Sequence, residues 1–159
     1  MNKHGQLRWS TGSASITLDE EHPSGVLPVA IWCQFGSQQP ELAMLDTGSE
    51  YTVIGAEQIE LLGDELGEPL GDLRVSTRRG RFQGTRHRLD IHLFAQQGER
   101  LTINSTLGAY PEWDGPSVLG YKGFLDRFRF ALEPEGPNTP ARIHFGEYPS
   151  DVPAARKRR

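Results

Sequence analysis

The chain has 159 residues, of which 36% are hydrophobic and 24% charged, so it can bury one continuous core but is short for two domains. Its net charge of −4 does not favour nucleic acid as a partner. No apolar run is long enough to span a bilayer, and residues 1–15 are too polar for a signal peptide, so we expect no membrane span and a cytoplasmic location. The single cysteine, Cys33, forbids an internal disulfide and is expected to be a small buried side chain.

The 18 glycines and 11 prolines lie between short apolar runs, a pattern that is typical of a mostly β domain rich in turns. We expect this domain to cover residues 14–148, after a polar N-terminal segment at 1–13. Residues 149–159 end in four basic side chains and are predicted to form a disordered tail, although such a run also suits a docking signal.

The first elements predicted along the chain form a hairpin. Residues 25–36 place apolar side chains on both faces of a strand. A polar turn at 37–40 separates this strand from a second apolar run at 41–45. The second strand therefore ends at Asp46.

A short helix and a second hairpin are predicted next. Apolar residues at helical spacing indicate one short helix within residues 56–66. Between 73 and 94, two β-like runs flank a segment rich in glycine and arginine, and apolar and polar residues alternate strictly over 89–93. We expect a long hairpin whose tip, at 78–81, is basic.

The remainder of the chain is predicted to consist of short strands, one loop and a little helix. No internal repeat is present. The predicted elements are strands at 101–107, 117–120, 127–132 and 141–148, a polar loop at 110–116, and one or two helical turns at 121–128.

The sequence LAMLDTGSEYTVI at residues 42–54 delivers Asp46 to the end of a buried strand. An ionised carboxylate is costly in apolar surroundings. Asp46 therefore either begins an ordinary turn, for which Asp, Thr and Gly are common residues, or is held there for chemistry.

Two motifs in this order favour chemistry. Asp46-Thr47-Gly48-Ser49 follows an apolar strand, and Val118-Leu119-Gly120 is followed by a helical turn with Phe124-Leu125. In these motifs, and in the order of elements over about residues 26–145, the chain resembles a retropepsin-like aspartic protease of the single-domain cellular or bacterial type. The resemblance implies a closed β-barrel with a flap hairpin and one or two short helices.

The resemblance further implies an aspartic endopeptidase with Asp46 as its catalytic residue. Two carboxylates must share a proton, so that one activates a water molecule and the other protonates the substrate carbonyl. The other Asp-Gly pair, at 114–115, lacks both a preceding apolar strand and a following Thr or Ser. The second aspartate is therefore expected from a second copy of the chain in a homodimer.

The residues after Asp46 take supporting roles by the same resemblance. Thr47 would hydrogen bond across the dimer axis, and Gly48 would allow close backbone approach and offer its carbonyl to the substrate. Ser49 is placed to donate a hydrogen bond to the carboxylate and so lower the pKa values of the pair. That arrangement would favour activity at acidic pH.

Peptide or protein substrate is expected to lie between the active-site loop and the flap. Glu50 matches a substrate-facing acidic position, and Arg79 and Gly80 match the mobile flap tip. The alternative for the tip is a solvated basic loop. Tyr121 stands where viral relatives have an arginine, so the sequence identifies no countercharge for Glu50.

Two other functions remain open at this stage. The fold and dimer could serve a non-catalytic binding or assembly module, or Asp46 could cap a turn in a monomeric β domain. No organic cofactor is expected. No metal is expected either, because His87 and His92 point to opposite faces of a strand. For the dimer, the chain-end segments 15–18 and 142–145 are the expected interface strands.

Overall fold

The computed structural model describes residues 7–18 and 28–149. Residues 150–159 of the basic tail, residues 1–6 of the polar N-terminal segment and the start of the strand predicted at 25–36 lie outside the described residues. Within the described part, no helix is long and apolar enough to cross a membrane. The proposed domain boundaries stay a prediction.

Strands dominate the structure, in agreement with the mostly β expectation. In the described residues they are β1 (Gly12–Ser15), β2 (Thr17–Leu18), β3 (Val29–Phe35), β4 (Glu41–Leu45), β5 (Thr52–Ile54), β6 (Gly71–Thr77), β7 (Gly80–Leu93), β8 (Gln97–Gly98), β9 (Leu101–Ala109), β10 (Val118–Leu119), β11 (Arg129–Glu133) and β12 (Arg142–Gly146).

Six of these strands close into a barrel, which confirms the predicted fold class. Their order is β3, β4, β10, β5, β9 and β7, and pairing of β3 with β7 closes the ring. Strand β6 extends β7 as an outer hairpin. Closure removes the unpaired edges that an open sheet of these strands would expose.

Alternation along the strands fills the barrel. In β7, Leu89, Ile91 and Leu93 are buried, whereas Asp90 and His92 face outward, as the sequence predicts. Cys33 is buried in the same core, and its thiol pKa is raised by burial. The barrel interior is therefore a packed core.

The predicted helix is present but shorter than its apolar pattern. Helix α1 (Ala56–Leu62) ends where Gly63 adopts a positive φ of 52°, and a 3-10 turn continues to Leu66. Leu62 and Leu66 are both buried against the barrel. The second predicted helical segment is reduced to a 3-10 turn at Leu125–Arg127.

The chain ends form a separate sheet in the order β11, β12, β1 and β8. Strand β12 pairs with β11 on one side and with β1 on the other. Both edges of 142–145 are hydrogen bonded within the chain, so this segment has no free edge to pair with a strand of a second copy. The expectation that 15–18 and 142–145 lie at a dimer interface stays a prediction.

Candidate active site

Asp46 lies at the end of a parallel strand pair in the barrel wall. β4 and β10 run side by side, with Met44 opposite Val118 and Leu45 opposite Leu119. The Asp46 N–H continues the ladder by donating to the Leu119 carbonyl at 3.0 Å. The motif at 118–120 therefore fixes the backbone of Asp46 from the neighbouring strand.

Gly120 allows the two motifs to approach this closely. A Cβ at this position would lie 2.3 Å from the carbonyl carbon and oxygen of Tyr51, which no side chain tolerates. The Gly120 N–H donates to Thr52 Oγ1 at 3.0 Å, and Thr52 is fully buried. This contact locks the segment after the aspartate onto the segment after β10.

The Asp46 carboxylate is partly exposed and has one local hydrogen bond. Its Oδ1 accepts the Gly48 N–H at 2.9 Å, the contact of an ordinary Asx turn. Its Oδ2 has no hydrogen-bond partner within residues 7–18 and 28–149. One carboxylate oxygen is thus without a hydrogen bond from the described residues, in a loop whose backbone is fixed.

One of the supporting residues, Ser49, makes a different contact from the one expected from the sequence. Ser49 Oγ donates to the Tyr51 carbonyl at 2.7 Å, so within one chain it does not bond the Asp46 carboxylate as expected. It stabilises the loop instead. Thr47 and Gly48 are exposed at the turn, where both are accessible to another molecule.

The countercharge of Glu50 is Lys122, which the sequence analysis missed. Lys122 Nζ lies 3.1 Å from Glu50 Oε1, and this contact raises the pKa of Lys122. The Lys122 N–H also donates to the Glu50 carbonyl at 2.7 Å, and the Tyr121 N–H donates to the Ser49 carbonyl at 2.9 Å. The sequence signal for this ion pair is the basic residue directly after Tyr121.

The tip of the β6–β7 hairpin lies against the loop that contains Asp114. Arg79 Nη1 is 3.3 Å from Asp114 Oδ1, and its guanidinium is 5.7 Å from the centre of the Trp113 ring. Gly80 adopts a φ of 127°, which other residues rarely adopt. Below the tip, Phe82 packs edge-on against Trp113 at 5.4 Å. The structure therefore joins the tip to this loop through Arg79.

At the other end of β4, Glu41 ties that strand to the start of β10. Its Oε2 accepts Ser117 Oγ at 3.1 Å and Gln58 Nε2 at 3.3 Å. Partial burial raises the pKa of Glu41 above its ordinary value, and the two hydrogen bonds oppose that shift. The parallel pair is thus held at both ends.

No second acid joins Asp46 in the part of the chain that the structure describes. Asp114 pairs with Arg79 instead. His87 is buried and contacts the Leu66 carbonyl, whereas His92 faces out and contacts Thr102. Across these residues no group of three His, Cys, Asp or Glu is arranged to hold a metal.

The arrangement of these elements matches a solved protein. A crystal structure of a retropepsin-like aspartic protease from Rickettsia conorii aligns with 83% of this chain and 98% of its own, at a TM-score of 0.50 and 17% identity. The chain has a retropepsin-like fold. At this identity the likeness establishes the fold alone, since one fold hosts different functions.

Two further solved structures align with this chain at lower TM-scores. The retroviral protease-like domain of Ddi1 from Leishmania major aligns over 78% of this chain and 96% of its own (TM-score 0.45, 14% identity). An aspartic proteinase from Irpex lacteus aligns over 87% of this chain and 49% of its own (TM-score 0.48, 16% identity). No protein-family profile and no curated protein sequence matches the chain.

Proposed function

We propose that this protein is an aspartic endopeptidase that is active as a homodimer. Each chain would contribute Asp46, and the two carboxylates would share one proton. One carboxylate then removes a proton from the attacking water while the other donates a proton to the carbonyl oxygen of the scissile bond. This chemistry needs neither a metal nor an organic cofactor.

The observation that carries the proposal is the way Asp46 is held. Its backbone is clamped by β10, the clamp depends on the close approach of Gly120 to Tyr51, and its Oδ2 is without a partner in the described residues. A residue that only caps a turn needs the contact with the Gly48 N–H but not this clamp by the neighbouring strand. A preorganised carboxylate is what proton transfer requires.

The dimer follows from the number of suitable acids. Asp46 has no acidic partner in the described part of its own chain, and a two-fold axis beside the exposed Thr47 and Gly48 would bring in a second Asp46. In that dimer Thr47 would donate hydrogen bonds across the axis, and Ser49 would support the loop through Tyr51.

The substrate would be an extended peptide or protein segment bound between the two halves of the site. The Gly48 carbonyl and Glu50 lie on the loop side, and Arg79 and Gly80 lie on the hairpin side. The positive charge of the tip favours acidic residues near the scissile bond, and this preference would weaken as salt is added.

The test compares Asp46→Asn with Asp114→Asn. Both replace an aspartate with a nearly isosteric amide, but only the first removes the proposed base. We expect Asp46→Asn to keep its melting temperature and lose cleavage of a mixed peptide library by several orders of magnitude, whereas Asp114→Asn keeps most activity.

If both variants fold and bind peptide, but the wild type cleaves nothing between acidic and neutral pH, the result would instead favour the non-catalytic module. Equal cleavage by wild type and purified Asp46→Asn would remove Asp46 from the mechanism. The assay thus separates the proposed enzyme from its alternative.

Assembly is tested by dilution and by mixing. Activity per chain should fall below the dimer dissociation constant, and excess Asp46→Asn chains should suppress wild type by forming dimers with one carboxylate. A sedimentation profile of monomer at every active concentration would contradict the homodimer.

A further inference from the structure

A groove beside the candidate active-site loop concentrates positive charge in a protein of net charge −4. Its volume is about 310 Å³. We call it the basic groove, and the residues that define it are Tyr51, Leu70, Arg86, Arg88, Lys122 and Arg127.

The strand geometry brings two of its arginines together. Arg86 and Arg88 lie two residues apart on β7 and flank His87, which is buried, so both project from the outer face of the strand. Arg88 lies opposite Thr106 on β9, and Arg127 reaches the same Thr106 from the 3-10 turn, with Nη2 to Oγ1 at 3.1 Å. Three guanidinium groups therefore converge on one stretch of the barrel wall.

All three guanidinium groups bond neutral partners. Arg88 donates to the Asn104 side-chain oxygen at 3.1 Å, and Arg127 donates to the Asn104 carbonyl. Arg86 makes a long 3.4 Å contact with the Leu70 carbonyl. None of them forms an ion pair with a carboxylate of residues 7–18 or 28–149. Several guanidinium donors are thus left for a ligand.

Three carboxylates near the groove already have partners. Glu50 pairs with Lys122, Asp90 accepts from the Asn104 amide, and Asp126 accepts the Gly123 N–H. Burial lowers the pKa of Arg127, repulsion from the neighbouring charge of Arg88 lowers it further, and the charge of Asp126 opposes both. An anion in the groove would relieve this repulsion.

The groove is continuous with the candidate site. Tyr51 directly follows Glu50, and the Lys122 N–H is bonded to the Glu50 carbonyl. A polypeptide held at the active-site loop therefore has a charged surface beside it into which a neighbouring segment can extend.

We propose that the basic groove binds an acidic segment of the protein substrate, through carboxylates that pair with Arg86, Arg88 and Arg127. Planar guanidinium groups match carboxylates in two-bond geometry. Tyr51 and Leu70 provide apolar walls for the stems of Glu side chains. This inference rests on the proposed function for the identity of the ligand as a substrate.

A polypeptide fits the groove better than nucleic acid does. A phosphate backbone is recognised by an extended basic surface, whereas this groove is short and the whole chain is net negative. A few carboxylates spaced along a peptide need only the local cluster.

Binding is measured first, independently of cleavage. A fluorescein-labelled peptide with four Glu residues, and the same peptide with Gln at those positions, are titrated by anisotropy with full-length Asp46→Asn protein. We expect the Glu peptide to bind at least about tenfold more tightly at low salt, and Arg86→Gln/Arg88→Gln to remove most of that difference.

A matched control removes the same charge elsewhere. Arg74 and Arg100 lie outside the groove, so Arg74→Gln/Arg100→Gln should change the difference by less than about twofold. Equal losses in both double variants would mean a general field and would overturn the proposal. A short single-stranded oligonucleotide, or inorganic phosphate alone, that binds the groove while the Glu peptide does not would also overturn it.

Cleavage separates this proposal from the proposed function. If wild type cleaves substrates, Arg86→Gln/Arg88→Gln should lower the ratio of kcat/KM for a substrate with a distal Glu segment to that for its Gln counterpart. Cleavage without any Glu preference would end the groove proposal and leave the enzyme intact. Selective binding without cleavage would support the groove and contradict the endopeptidase.

Discussion

The candidate active-site loop at 46–50 and the hairpin tip at 77–80 lie on the two sides of the proposed substrate cleft and are held differently. The loop is fixed by backbone hydrogen bonds to 119–122 and by buried Thr52. The tip is held by exposed contacts, with the Arg79 and Asp114 side chains 58% and 85% exposed. Buried contacts exclude water and resist opening, whereas exposed ones exchange with solvent.

This difference suits the proposed chemistry. A carboxylate that transfers protons needs a fixed position, and a tip that admits and covers a peptide needs to move. The same fold thus provides a rigid half and an adaptable half.

Paired glycine substitutions should show the largest contrast. Gly120→Ala places a Cβ against the Tyr51 backbone, so we expect a loss of about 3 kcal/mol or more in the free energy of unfolding, together with loss of any cleavage. Chemical denaturation measures this change.

Gly80→Ala is the control at the tip. Its Cβ would meet no atom within 4 Å, but the positive φ is strained for alanine, so we expect a loss of about 1–2 kcal/mol. Equal losses at both glycines would contradict the rigid-loop description.

Removing the hydroxyls of Thr52 and Thr77 should give losses in the free energy of unfolding that differ by less than those of the two glycine substitutions. Thr52→Val preserves shape but leaves the buried Gly120 N–H without its acceptor, which should cost about 1–3 kcal/mol. Thr77→Val removes the contacts of an exposed hydroxyl with Arg79 and Gly80 and should cost less than about 0.5 kcal/mol. A loss at Thr77 that matches the loss at Thr52 would show that the tip is as firmly built as the loop.

Ionisation of Glu41, which ties β4 to β10, should have a smaller effect on stability, and this effect should depend on pH. The pKa of Glu41 in the folded protein is raised above 4.5. Protonated Glu41 therefore contributes stability below pH 4.5, and this contribution is lost as the pH rises through the folded pKa. Glu41→Gln keeps an acceptor for Ser117 but carries no charge. Its melting temperature should exceed that of wild type near pH 7 and equal it below about pH 4.5. A difference that is constant with pH would exclude ionisation of Glu41 as the cause.

The contact between Arg79 and Asp114 should have the smallest effect on stability. A double-mutant cycle with Arg79→Gln and Asp114→Asn should give a coupling of at most about 0.5 kcal/mol, because both side chains are exposed. Amide hydrogen exchange at the tip should increase in both variants, with no change in the loop at 46–50. Faster exchange in both regions would mean that loop and tip open together.

Much of the fold follows from local patterns in the sequence. Alternation over 89–93 identified β7 and its inward face, and the polar turn at 37–40 identified the β3–β4 hairpin, because strand burial has a period of two. The order of the DTGS motif and Val118-Leu119-Gly120 was enough to predict the retropepsin-like fold. These signals lie within short stretches of chain.

Tertiary structure alone decided the contacts between distant stretches. The pairing of Lys122 with Glu50, the use of both edges of β12 within the chain, and the gathering of Arg86, Arg88 and Arg127 depend on strand order and register. A one-residue change of register would move these side chains to the opposite face. The sequence by itself determined which residues enter strands and turns, and barrel closure determined which of them meet.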